Sequence, residues 1–242
     1  MRLLLLVTLA LSLQAQSELV MVGAGGPSSS HTLPAFVNQT SANSCLWSSG
    51  TSFNCTITAP STSNVLIVMC YVNHTSSISC STPTGYTGAT WTSLTTTGGQ
   101  LHSAAIFCAT LTASHTAITI NLSTTPGTNA AAQVIEFSGL NGCTIDGSAA
   151  TVNSGTSNNP AVNSITTTFN GYDLMLAADV NNNQSYSSGP TNSYTGLNIA
   201  ITNYSNSAYF VTSLNALSAF STQWNIGGSA VWRAIAVALE SK

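Results

Sequence analysis

The stretch NVLIVMCYV, residues 64–72, decides the fold class. After Asn64 every residue is apolar, and Val65, Ile67, Val68 and Val72 are β-branched. A run this short, rich in β-branched residues and without alternation, reads as a strand buried on both faces. Period-two patterning and β-branched residues also make strands of SAAIFCATL (103–111), TAITINLS (116–123), AAAQVIEFSG (130–139), YDLMLAADV (172–180), SAYFVTSL (207–214) and SAVWRAIAVAL (229–239), several of them apolar on both faces. Turn signals such as TPTGYTG, TTPGTN, FNGYD and IGGS separate these runs. The Ala-rich segments 129–133 and 230–238 lack a clear helix cap and an i, i+3, i+4 stripe, so they too read as strands. No fixed-period repeat points to a solenoid or a propeller. Strands apolar on both faces need a layer on each side, and two packed antiparallel sheets supply one.

The ends of the chain bear on its destination. MRLLLLVTLALSLQAQS carries Arg2, an apolar run over 3–11 interrupted only by Thr8, and small or polar residues around Ala15. That layout predicts a signal peptide over residues 1–15, and hence a secreted protein. A bilayer needs about 20 apolar residues, so no membrane insertion is expected once the leader is removed. A short segment, 16–31, then leads into one domain, 32–242. Without Arg2 only Arg233 and Lys242 stand against six acidic residues. Two cations cannot neutralise a run of phosphates, which excludes nucleic acid and anionic membranes as partners. Polarity comes instead from Ser, Thr, Asn and Gly. A hydrophobic fraction of 43%, organised in runs, excludes disorder.

Six cysteines in an exported chain predict a disulfide framework. Six allow fifteen pairings, but Cys45/Cys55 and Cys70/Cys80 share one spacing and enclose polar segments able to reverse the chain. The expected set is Cys45–Cys55, Cys70–Cys80 and Cys108–Cys143. No CxxC or HxxxH spacing points to zinc.

A resemblance rests on short elements taken in order. Glu136-Phe137-Ser138-Gly139 is followed by Asp146-Gly147-Ser148, then Thr166-Thr167-Thr168 with Asp173-Leu174-Met175, then a closing strand bearing Trp232. Over residues 32–240 this order resembles secreted bacterial β-sandwich domains of jelly-roll or concanavalin-like build. The resemblance implies an all-β antiparallel β-sandwich of jelly-roll type in an extracellular setting, and it carries over no activity and no catalytic residues. The cysteines depart from it, since such domains are cysteine-poor.

The chemistry-bearing residues are few. Glu136 and Asp146 are the one pair with the look of a glycosidase dyad, which needs two carboxyl groups about 5–10 Å apart. Glu136, however, lies on the strand face of Val134 and Ala132, and Asp146 before Gly147 reads as a turn former. A structural role for Glu136 is therefore expected, with Glu136 or Asp173 pairing with Arg233, because an unpaired buried charge is costly. Asp179, Asn181 and Asn183 offer oxygen ligands for Ca²⁺, but Gln184 and Pro190 stand where a full calcium loop has Gly and Glu. His31, His74, His102 and His115 are scattered, and there is no G-x-S-x-G elbow. Trp47, Tyr86, Trp91, Tyr186, Tyr194, Tyr204 and Trp224 lie in or near polar loops, where aromatic faces stack on sugars or plug the ends of a sandwich. The expected function is an exported structural, surface or adhesive binding protein without catalytic activity, a subunit of a matrix, appendage or virion surface. Its partners would be copies of itself or a surface glycan. The alternatives are a carbohydrate-binding module and a glycan-acting hydrolase using Glu136.

Overall fold

The computed structural model describes residues 30–41, 44–74, 76–98, 101–127, 129–197 and 204–242. The expected signal peptide, 1–15, and the leading segment up to residue 29 lie outside them. His31–Lys242 forms one compact unit. Among the described residues that unit is all-β, and no helix is long and apolar enough to cross a membrane.

The first half of the chain supplies β1 (Ala35–Gln39), β2 (Ser52–Thr56), β3 (Val65–Asn73), β4 (Cys80–Thr84), β5 (Ala89–Thr96), β6 (Ser103–Leu111), β7 (Ala117–Leu122) and β8 (Asn129–Ser138). The second half supplies β9 (Leu140–Ser157), β10 (Ile165–Thr166), β11 (Asp173–Asn181), β12 (Tyr186–Ser188), β13 (Thr195–Gly196), β14 (Ser205–Val211), β15 (Ala219–Phe220), β16 (Asn225–Ile226) and β17 (Ala230–Ser241). Each apolar run read from the sequence is one of these strands, and the Ala-rich segments lie in β8 and β17.

One five-stranded sheet has the order β1-β8-β3-β6-β5, a second the order β13-β14-β11-β17-β9. A three-stranded sheet, β2-β7-β4, and two ribbons, β10-β15 and β12-β16, complete the set. All pairings between these strands are antiparallel. Strand alternation sends Val65, Ile67, Met69 and Tyr71 of β3 into a cluster shared with Leu174, Leu176, Ala178 and Val180 of β11 and Ile235, Val237 and Leu239 of β17. Leu66, Val68, Cys70 and Val72 point the other way, into a cluster with Phe53, Cys55, Ile118 and Ile120 of the three-stranded sheet. The outer face of the second sheet, Met175, Ala177, Ala234, Ala236 and Ala238, packs with Ile165, Tyr194 and Trp224. Three apolar layers therefore explain why β3 and β11 are buried along their whole length.

The chain passes from the first five-stranded sheet to the second at Gly139, between β8 and β9. Its φ is +77°, and a Cβ there would stand 2.6 Å from the Leu33 carbonyl oxygen, so only glycine fits. Beyond it the sequence misled. Asp146-Gly147 lies not in a turn but inside the ladder of β9 with β17, where five residue steps, Ile145 to Ala150, oppose two, Leu239 to Val237. The excess bulges out, and Gly147 takes φ +58° there. Bulge and turn use the same residue types, which hid an 18-residue edge strand.

The three disulfides are Cys45–Cys55, Cys70–Cys80 and Cys108–Cys143, as expected. Cys70–Cys80 ties β3 to β4, and Cys108–Cys143 ties β6 to β9 across the two large sheets. Such a framework fits an extracellular environment.

Candidate functional site

Glu136 is buried near the end of β8, and its Oε1 accepts hydrogen bonds from the Ser61 amide at 2.9 Å and from Asn64 Nδ2 at 2.6 Å. It thereby fixes the turn that leads into β3. Asp146 is also buried: its Oδ2 accepts from the Thr168 amide at 2.6 Å and its Oδ1 from the Thr168 hydroxyl. Glu136 sits on the face of the first sheet turned away from the second. Asp146 sits in the bulge of β9 among groups on the second sheet's outer side. With the sheets about 10 Å apart, no single sugar bond spans the two carboxylates. The structure does not bring them together.

The expected ion pair with Arg233 does not form either. Arg233 alternates with Ile235 and Val237, on the face turned toward the first sheet, whereas Asp173 alternates with Met175 and Ala177, on the opposite face. Arg233 is also paired in register with Val180, seven residues along β11 from Asp173, or about 23 Å. The Arg233 guanidinium is half-buried, its Nε has no hydrogen-bond partner, and it lies near His102. Burial first, and then Arg233, lower the proton affinity of His102.

At the other end of the second sheet Asp173 stands opposite Glu240. Burial pushes the Asp173 carboxyl up to about 7, with further contributions from Asp146 and Glu240. Asp173 lines neither of the two clefts described below. Asp179 is fully buried, which raises its carboxyl well above the ordinary value, and its Oδ2 meets the Tyr186 hydroxyl at 2.8 Å. Asn181 is buried too, with Oδ1 taken by the Gln184 amide, while Asn183 is exposed at φ +56°. Asp179 and Asn181 thus hold the loop after β11 through Tyr186 and Gln184. The histidines serve local packing and turns: His31 meets Phe169 edge-on, and His74 and His115 accept backbone amides through Nδ1.

Of the loop aromatics, Tyr86, Tyr194, Tyr204 and Trp224 are buried, and Trp47, Trp91 and Tyr186 pack against the clusters from half-buried positions. They plug the ends of the layers. The concave, aromatic surface lies elsewhere, between the edge strands β1 and β13. There Phe36, Gln39, Thr195, Gly196, Leu197 and Tyr209 line a cleft of about 190 Å³. Phe36 stacks on Tyr209 with ring centroids 5.9 Å apart and planes 14° apart, and Phe137 meets Tyr209 edge-on from the core. A second cleft, about 210 Å³, lies by the Glu136 turn and includes Asn64, Leu140 and Lys242. Lys242 Nζ donates there to the Ser63 carbonyl.

Phe36, Tyr209 and Gln39 escaped the sequence reading because the stack joins strands from opposite halves of the chain. One local signal was present: Gln133, a polar residue inside the apolar run of β8. It is 1% exposed, and its Nε2 donates to Gln39 Oε1 at 2.6 Å. No protein-family model, no curated protein and no solved structure matches this chain.

Proposed function

We propose that the chain is an exported structural, surface or adhesive binding protein that works without catalysis on the outside of a cell or particle. Its fold is best read as a β-sandwich of the two five-stranded sheets, thickened by the three-stranded sheet and the ribbons. Each half of the chain builds its own sheet, a departure from the interleaved strand order of a jelly roll. The observation that carries the functional reading is the employment of the carboxylates. Glu136 and Asp146 accept hydrogen bonds from amide and hydroxyl donors of neighbouring turns and strands, and they lie on opposite outer sides of the paired sheets. The neutral Ser/Thr/Asn surface and three disulfides support a life outside the cell. Co-sedimentation with cell-wall and exopolysaccharide preparations tests it. The expected result is retention of the protein with no release of reducing ends; release of reducing ends that Glu136→Gln abolishes in a folded protein would install the hydrolase instead.

A further inference from the structure

We infer that the cleft between β1 and β13 is a subsite for one uncharged hexose unit of a surface glycan. The inference rests on the surface-binding reading and gives it a ligand class. Phe36 and Tyr209 form the platform, and Gln39 is the hydrogen-bonding amide.

The polar side of the cleft is built from the interior outward. Gln133 lies in the middle of β8, and a buried amide is costly unless bonded. Its Oε1 accepts from the Ser207 hydroxyl at 3.2 Å, and its Nε2 donates to Gln39 Oε1 at 2.6 Å. With that oxygen committed, the amide group of Gln39 is locked in one orientation. Its Nε2 has no hydrogen-bond partner among the described residues and is left to donate at the cleft. Thr195 adds a hydroxyl-bearing side chain on the facing wall. Gln133 is thus a positioning residue, buried in order to orient a neighbour that faces solvent.

The apolar side suits a pyranose. Phe36 is 38% exposed although it is large and aromatic, and Phe137 props both it and Tyr209 edge-on from beneath. A rigid, propped aromatic pair presents C–H-binding area at little entropic cost. The cleft's volume of about 190 Å³ equals about six waters at ~30 Å³ each, below the range of drug-sized pockets. No charged side chain lines it, so a uronic acid or an amino sugar would lose hydration without gaining a partner. Thr195 pairs with Tyr209, so its side chain shares the face of the cleft, whereas Gly196 pairs with Ala208 on the outer face of the second sheet and lends the wall only its backbone. Thr195 is exposed, so a larger side chain at position 195 would fill the cleft.

The test is an NMR titration of the oxidised, secreted chain with methyl glycosides of neutral hexoses, with methyl glucuronide in parallel. The expected result is a set of shifts confined to the Gln39 side-chain amide, residues 195–197 and Tyr209, for neutral sugars only. Tyr209→Ala should weaken binding roughly tenfold. Thr195→Leu, at an exposed position on the face of Tyr209, should abolish binding with an unchanged melting temperature. Shifts centred on another surface would overturn the subsite while leaving a glycan-binding surface protein. Silence with every neutral sugar up to about 50 mM, or equal binding of the glucuronide, would overturn the ligand class. Binding in the cleft by a chain that ignores all intact surface material would instead refute the broader reading.

Discussion

Glu136, Asp146 and Asp179 take hydrogen bonds from amides or hydroxyls, and among the described residues none of them meets a cation. Residue identity made these groups conspicuous, but their partners come from segments 7 to 75 residues away, which no local pattern records. Strand alternation placed Glu136 on the face of Val134 and Ala132, and it is buried there. The partner chosen for it was mistaken, because alternation within one strand says nothing about which sheet covers that face. Arg233→Met, which keeps the aliphatic stem and removes a half-buried charge, should therefore leave the thermal midpoint unchanged or raised. A fall of several degrees would reveal a pairing. Asp173 makes a pH-dependent contribution. Its folded value, about 7, lies above its ordinary 3.8, so between these values the folded state binds a proton that the unfolded chain releases. Stability from this group is whole below about 4 and is lost as pH rises to about 7. Asp179 acts in the same direction, while His102, whose proton affinity is lowered, costs stability as pH falls below its ordinary 6.5. Urea midpoints at about pH 5 and about pH 8 should show Asp173→Asn flattening the decline; an unaltered slope would place the Asp173 carboxyl near its ordinary range.

Among the elements, the strands with two buried faces were legible, as was β7 from its alternation, while two edge strands were not. β3, β6, β8, β11 and β17 carry continuous apolar runs because a cluster lies on each side of them. β9 and β5 are edge strands, and their Thr, Ser, Gly and Asn residues read as loop or remained unassigned. The disulfide set was legible from equal spacing and remaining partners, but the work of each bridge was not. Cys108–Cys143 closes 35 residues and crosses between the large sheets, whereas Cys70–Cys80 closes 10. In the chain-entropy account the longer loop is worth about 4 kcal/mol and the shorter about 3. Denaturant unfolding of the Cys108→Ser/Cys143→Ser and Cys70→Ser/Cys80→Ser proteins should rank them in that order. The reverse order would assign the larger structural role to the link with the three-stranded sheet.

For the whole molecule, composition was the most informative text. A charged fraction of 4% argues against nucleic acid and anionic membranes as partners. The same scarcity of charge reappears at the cleft, which is lined by an aromatic stack and an oriented amide and by no charged side chain. What composition could not supply is the pairing of the two large sheets that sets β1 beside β13, since that juxtaposition depends on strand order across the whole chain. The central claim is that this protein holds its ligand without charge. The most direct measurement is its retention on a surface-glycan matrix as salt is raised from about 0.05 M to about 1 M, a range over which the screening length shrinks to about 3 Å. Retention constant within about twofold is predicted; a loss of tenfold or more would show that charge, and not the neutral cleft, carries the binding.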